Sequence, residues 1–298
     1  MSERNFREML EAQWSRGNFV CVGLDSEYEK IPPAIRSECG IADSITGFNR
    51  SIIEKTSDLV CAYKSNMAFY GANGTEGLMA LRATVGLIHD IAPGVPVILD
   101  GKRGDIGNTN NGYVREAFEY LQADAVTVPP YMGRESLKPF LDCKDKGVIV
   151  LCRTSNPGAG EFQDLEVPID DEEGRFLSEA HVRFGWNLMG YRTALFNHVA
   201  YRVSKHWNNE NGNCALVVGA TYPAELREVR KIVGDMPILI PGIGAQGGDV
   251  EKTVSAGKDS HGKGMIINSS RGIIFAEDPR LETIKLRDLI NQYREGAK

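Results

Sequence analysis

Residues 100–109 read DGKRGDIGNT, so an acid, a base and a second acid close the apolar run Val97, Ile98 and Leu99. Such a cluster can steer charge that develops during a reaction and hand over a proton. A strand puts residues i and i+2 on one face, so Asp100 and Lys102 are expected to project together, with Asp105 following on a glycine-flanked turn. Opposite charges buried there must neutralise one another, because burying either alone is costly. A surface salt-bridge patch uses the same residue types, so the surroundings decide between the two readings. A second cluster lies far along the chain, where PGIGAQGGD at 241–249 is followed by NSSRG at 268–272. Glycines 242, 244, 247 and 248 let backbone approach an anion closely, and Arg271 can grip it through two N–H groups.

The elements that must position these groups follow from eight short apolar runs that end in Gly, Asp, Asn, Ser or Thr. They are FVCVGLD (19–25), LVCAYKSN (59–66), PVILDGK (96–102), AVTVPPY (125–131), VIVLCRTS (148–155), ALVVGAT (215–221), PILIPGIG (237–244) and MIINSSRG (265–272). The runs are continuously apolar, as expected of parallel strands buried on both faces. Helical patterns such as SITGFNRSIIEKTS, TEGLMALRATVGLIHDIA, NGYVREAFEYLQ and YPAELREVRKIVG lie between them. Eight strand–helix units predict an α/β protein, a (β/α)8 TIM barrel occupying residues 1–298 as one catalytic domain. An amphipathic helix carrying Phe6, Met9, Leu10 and Trp14 precedes the first strand, and a closing helix begins near Asp278. Between the fifth and sixth strands the connection is extended to 156–213. Its first half, NPGAGEFQDLEVPIDDEEG, reads as an irregular acidic loop over the barrel mouth, and LMGYRTALFNHVAYRVSKHW reads as the crossover helix.

Composition narrows the function. The 298 residues are 42% hydrophobic and 25% charged with a net charge of −6, an ordinary globular balance that argues against a nucleic-acid surface or an anionic-membrane binder. No apolar run is long enough to cross a bilayer, and the charged N-terminus does not read as a secretory signal. Of six cysteines, Cys21, Cys61, Cys152 and Cys214 fall in or beside apolar runs without zinc-ligand spacing, so they read as reduced core thiols. A cytoplasmic protein is expected. The five histidines form no HExxH or evident ligand cluster, and neither a metal nor another cofactor is expected.

In this fold the active site gathers at the carboxyl ends of the strands. Asp25, Lys64 with Asn66, Asp100 with Lys102, Thr127, Thr154 with Ser155, Thr221, residues 242–246, and 268–271 should therefore share one mouth. Charged acid–base groups come from the first three strands and anion-binding elements from the last two. The expected substrate is phosphorylated at one end and reacts at the other. A dinucleotide site is the alternative suggested by Gly242, Gly244 and Gly247 as GxGxxG, but that fingerprint belongs to a first βαβ unit and here follows the seventh strand.

Taken in order, GLD at 23–25, YKSNMAFY at 63–70, DGKRGDIGNT, DAVTVPPYMG at 124–133, RTSNPG at 153–158, PGIGAQGGD and NSSRG resemble the orotidine 5′-phosphate decarboxylases, specifically the longer bacterial and protozoal type. The resemblance spans nearly the whole chain. It implies that Lys64, Asp100, Lys102 and Asp105 form a charged catalytic tetrad. It also implies a homodimer in which Asp105, Ile106 and Thr109 reach the partner's site. By the same resemblance Asp25, Lys64 and Asn66 surround the ribose, Thr127 lies near the ribose or the partner side, and Ser155 meets the pyrimidine. Gln246 and Arg271 hold the phosphate, Asn268 shapes the phosphate loop, and Gly242, Gly244 and Gly247 supply its backbone. The implied reaction turns orotidine 5′-monophosphate into UMP and CO2 in pyrimidine biosynthesis, without a metal, with Lys102 as proton donor. Metal-dependent relatives on phosphorylated keto-sugars share DxKxxD but place a Glu metal ligand near the position of Lys64, where an ammonium would repel Mg²⁺. A catalytically silent barrel that binds nucleotide is the remaining alternative.

Overall fold

The runs read from sequence form β1 (Val20–Gly23), β2 (Val60–Asn66), β3 (Val97–Asp100), β4 (Ala125–Val128) and β5 (Gly147–Arg153), in a computed structural model that describes residues 4–187, 190–210, 212–244 and 248–295. Three short strands follow within the long connection: β6 (Glu166–Ile169), β7 (Gly185–Asn187) and β8 (Gly190–Ala194). The last barrel strands are β9 (Cys214–Val218), β10 (Ile238–Pro241) and β11 (Met265–Ser269). The eight barrel strands close in the order β1-β11-β10-β9-β5-β4-β3-β2, every pair parallel. Helices lie between them, including 41–56, 74–91, 133–141, 223–233 and 250–257. This is the (β/α)8 barrel expected from the eight units.

The strands are apolar throughout because barrel interior and helix layer both exclude water, so residues of both pleat faces are buried. Val20 to Val22, Val60 to Tyr63 and Met265 to Ile267 are all fully buried. The helix Phe6–Trp14 covers the amino-terminal end of the barrel with its apolar stripe. Phe6 lies against Gly147, where a Cβ would collide with the Phe6 ring, and the Trp14 indole N–H donates to the Met265 carbonyl at 2.9 Å. Arg4 pairs with the fully buried Asp124, which also accepts from the Val97 amide. The bottom of the barrel is thus closed by packing and neutralised charge, leaving chemistry to the opposite end.

The long connection departs from its expected form. Its first half is ordered: a helical turn at 157–159, the short helix Gly160–Gln163, β6 and the helix Asp171–Glu179. The expected crossover helix over 188–207 is also corrected. Residues 190–194 are strand β8, pairing antiparallel with both β6 and β7, and the helix starts only at Leu195. Residues 188 and 189 lie outside the described residues. The physical reason is alternation over too short a span. Val167 and Ile169 are half-buried between the exposed Glu166 and Pro168, and Thr193 is buried beside less buried neighbours, which is the mark of a short two-faced sheet rather than a loop or helix.

Candidate active site

The barrel's carboxyl end opens into a cavity of about 520 Å³, a size suited to a small-molecule ligand. Lys64, from the end of β2, is the deepest charge, only 4% exposed. Its ammonium lies 3.1 Å from Asp100 Oδ2 and 3.6 Å from Asp25 Oδ1. Asp100 Oδ1 in turn accepts from the Lys102 ammonium at 2.7 Å. Two ammonium groups and two carboxylates therefore alternate as Asp25, Lys64, Asp100 and Lys102, a chain that balances its formal charge within the cavity. Burial disfavours the Lys64 ammonium, but Asp25 and Asp100 outweigh it and hold its pKa above the ordinary lysine value. Burial likewise pushes Asp100 up. The ammonium groups of Lys64 and Lys102, with hydrogen bonds from Lys102 and Thr127, more than reverse this and hold its carboxyl well below the usual carboxylate range. Beneath them, burial pushes the Cys21 thiol up to about 12, so it stays neutral.

The contact between Asp100 and Lys102 is real, but strand pleating does not make it. Strand β3 ends at Asp100, and Lys102 sits beyond it with φ +47°, in the left-handed region. A non-glycine residue there costs roughly 1 to 2 kcal/mol and persists only where its surroundings enforce it. The enforcement is visible. The Lys102 amide donates to Thr127 Oγ1 at 3.0 Å, the Arg103 amide donates to the Thr127 carbonyl at 3.0 Å, and the Arg103 guanidinium pairs twice with Glu116 at 2.8 Å.

Asp25, Asn66, Thr127, Ser155, Asn268, Gly242 and Arg271 line the same cavity as Lys64, Asp100 and Lys102. The Asn66 side chain caps the following helical turn by accepting from the Ala68 amide at 3.1 Å. Ser155 is held close to Gly219, where any Cβ would strike its backbone. Gly242 and Gly244 have φ of +106° and +79°, values that other residues rarely adopt, and the Gly248 amide closes the loop onto the Gly242 carbonyl at 3.1 Å. Gln246 and Gly247 lie outside the described residues. Arg271 is exposed, and no ion pair engages it among the described residues.

Asp105, Ile106 and Thr109 do not line the cavity. They sit on the next turn of the chain, tied down by Asn110. That buried side chain accepts from the Asp105 amide at 2.9 Å and donates to the carbonyls of Asp105 and Ser136 at 2.7 and 2.6 Å. Ile106 is 61% exposed, and Tyr131, on the loop after β4, is 94% exposed.

Ser270, within the 268–271 stretch expected at the mouth, lines the cavity as well, and so do Glu27, Phe69 and Asn156, which the sequence reading does not single out. Glu27 was findable as a second acid two residues beyond Asp25. Ser270, whose hydroxyl donates to the Gly23 carbonyl at 2.8 Å, sits inside the NSSRG motif. Phe69 and Asn156 carry no signal that separates them from core and turn residues. Among the described residues, no group of three or more His, Cys, Asp or Glu side chains is placed to hold a metal ion.

Lysines and aspartates alternating in a cavity at the carboxyl end of a closed parallel barrel, which the exposed Arg271 and Gly242 also line, define the class: a (β/α)8-barrel enzyme. The family described as orotidine 5′-phosphate decarboxylase / HUMPS matches residues 18–178. An orotidine 5′-phosphate decarboxylase of Ralstonia pickettii is 46% identical over 297 residues, 97% of this chain and 99% of that one. Among solved structures, the OMP decarboxylase of Leishmania donovani superposes with a TM-score of 0.80 at 36% identity, covering 98% of this chain and 100% of the other. The UMP synthase of the same organism gives 0.81 at 37% identity, with 98% of this chain spanning 57% of that longer one. The chain belongs to the orotidine 5′-phosphate decarboxylase / HUMPS family.

Proposed function

We propose that this chain is a carboxy-lyase that converts orotidine 5′-monophosphate into UMP and CO2. The observation that carries this reading is the Asp25, Lys64, Asp100 and Lys102 chain within one cavity, whose other rim bears Gly242 and Arg271. In the reaction, the bond from pyrimidine C6 to its carboxylate breaks and the electron pair remains on C6 as CO2 leaves. No neighbouring carbonyl is positioned to absorb that charge, so the protein must supply the stabilising field. The Lys102 ammonium provides it and then transfers a proton to C6, completing UMP. Asp100 holds that ammonium from one side. Lys64, engaged with Asp25 and Asp100 and close to the ribose, fixes the carboxylate in turn. No metal is needed, since ammonium groups already occupy the positions at which a cation would meet these carboxylates.

Phosphate recognition falls to Arg271, Gln246 and the backbone of Gly242, Gly244 and Gly247, with Asn268 shaping that loop. Asp25 and Asn66 meet the ribose, and Ser155 meets the pyrimidine. Gripping the phosphate far from C6 lets remote binding energy orient the ring and exclude water.

The same reading makes the enzyme a homodimer. Asp105, Ile106 and Thr109 lie off their own cavity while Ile106 and Tyr131 expose apolar surface, which supports donation of these three residues to a partner's site. A carboxylate about 4 Å from the departing one would repel it by roughly 4 kcal/mol at an effective dielectric of 20. That is a contribution, and stabilisation of the carbanion must carry more.

The test is the ultraviolet absorbance of orotidine 5′-monophosphate mixed with purified protein, with and without a chelator. Rapid loss of substrate, insensitive to chelator and matched by UMP and CO2, is the expected outcome. Absence of turnover by folded protein would instead indicate a silent barrel, and turnover abolished by chelator would indicate a metal enzyme.

A further inference from the structure

The ladder between β3 and β4 ends one step short of the catalytic residues. Ile98 pairs with Ala125 and Leu99 with Val126, but Asp100 and Thr127, the next pair in register, are not joined by the sheet. The Thr127 side chain replaces the missing rung. Its hydroxyl donates to Asp100 Oδ1 at 2.9 Å and accepts from the Lys102 amide at 3.0 Å, while its carbonyl accepts from the Arg103 amide at 3.0 Å. Thr127 is 1% exposed, and its own backbone is held on the far side by register with Ile149 of β5. The hydroxyl's one hydrogen is therefore committed within the protein, and what remains is a single lone pair.

We propose that Thr127 is a positioning residue: its hydroxyl sets the carboxylate of Asp100 and the left-handed turn of Lys102 as one rigid unit, in place of the role near the ribose or the partner side that the resemblance suggested. The inference rests on the proposed decarboxylase reading for its kinetic consequence. The Lys102 side chain departs from the Cα whose conformation Thr127 clamps, and its ammonium ends on the carboxylate that Thr127 also clamps. One hydroxyl thus controls both ends of the lysine. A valine is nearly isosteric, leaves the strand intact, and removes both hydrogen bonds together.

Steady-state turnover of orotidine 5′-monophosphate and UMP affinity are to be measured on wild type, Thr127→Val and Thr127→Ser. We expect kcat of the valine variant to fall about 10- to 100-fold, the scale of a reacting group misplaced by roughly 1 Å. UMP affinity should stay within about twofold, and serine should restore most of the rate, because ground-state binding is untouched. A valine variant with wild-type kcat overturns the proposal. So does a loss of UMP affinity as large as the loss of kcat, which would mark a ligand contact, or a serine variant as impaired as valine, which would mark packing. Thr127→Ala reads the same split if valine disturbs folding. Hydrogen exchange of the Lys102 amide, followed by NMR, needs no activity. Exchange about tenfold faster in the valine variant is expected, and unchanged protection rejects the clamp. Loss of wild-type turnover with the exchange effect intact would sink the decarboxylase reading and leave the clamp standing.

Discussion

Lys102 carries more of the proposed chemistry than any other residue, and its position is enforced rather than relaxed. Replacing it with alanine removes both the cation that stabilises the C6 carbanion and the proton donor. Turnover should fall by at least about 10³-fold, on the scale of losing an electrostatic stabiliser together with a general acid, while UMP still binds. Near-native turnover of Lys102→Ala would exclude its role as donor. The neighbouring charges make a prediction about pH. Asp100 has a depressed pKa, so its contribution to stability is present above the unfolded carboxylate value near ~3.9 and is lost as pH falls through the still lower folded value. Lys64 has a raised pKa, so its contribution is complete below the unfolded lysine value near ~10.4 and is lost as pH rises through the higher folded value. Both stay ionised in between. A profile of kcat against pH should therefore show no limb from either residue between about pH 5 and 9, and a limb that vanishes in Asp100→Asn would contradict the geometry.

Between residues and barrel stand the loops, each anchored by side chains in place of regular pairing. The turn after β3 is held by Asn110, which makes three hydrogen bonds to Asp105 and Ser136 while fully buried. Asn110→Ala should lower unfolding free energy by about 1 to 3 kcal/mol in urea titration, since it orphans buried backbone groups. An unchanged midpoint would show that water replaces the amide. The loop after β5 is anchored differently. Arg153 is buried, stacks 3.9 Å over Tyr222 and pairs with Asp164, while Gln163 accepts from the Thr154 amide at 2.8 Å. The first turn of the long connection is thus docked onto the rim beside Ser155. On the opposite rim, Arg271→Ala should raise KM for the phosphorylated substrate by about 10²-fold or more, the worth of a charge-assisted grip, and hardly alter use of the phosphate-free nucleoside. Equal losses on both substrates would argue against a phosphate contact.

At the scale of the whole molecule, the barrel brings residues from positions 25 to 271 to one rim, whereas Asp105 stays outside its own cavity. If two copies share sites, Lys64→Ala and Asp105→Ala subunits are each inactive alone. A random mixture then yields half hybrids, each with one intact site of two, and should recover about a quarter of wild-type activity. Failure to recover activity after demonstrated exchange of subunits would assign each site to a single chain.

The amino-acid sequence by itself determined the eight strands, their parallel order and the identity of the strand-end residues. Continuous apolar runs ending in polar residues have few ways to be buried, and a closed parallel barrel satisfies them all. Sequence was weaker where spans were short. In 166–194 the alternation covers only three to five residues per strand, so strand and helix patterns could not be separated. Only the tertiary structure decided how Lys102 meets Asp100. The sheet ladder stops before them, and the left-handed turn that joins them is stabilised by Thr127, 25 residues away in the chain. A residue's backbone conformation can be imposed by a distant hydroxyl, and nothing in the local sequence records that it will be.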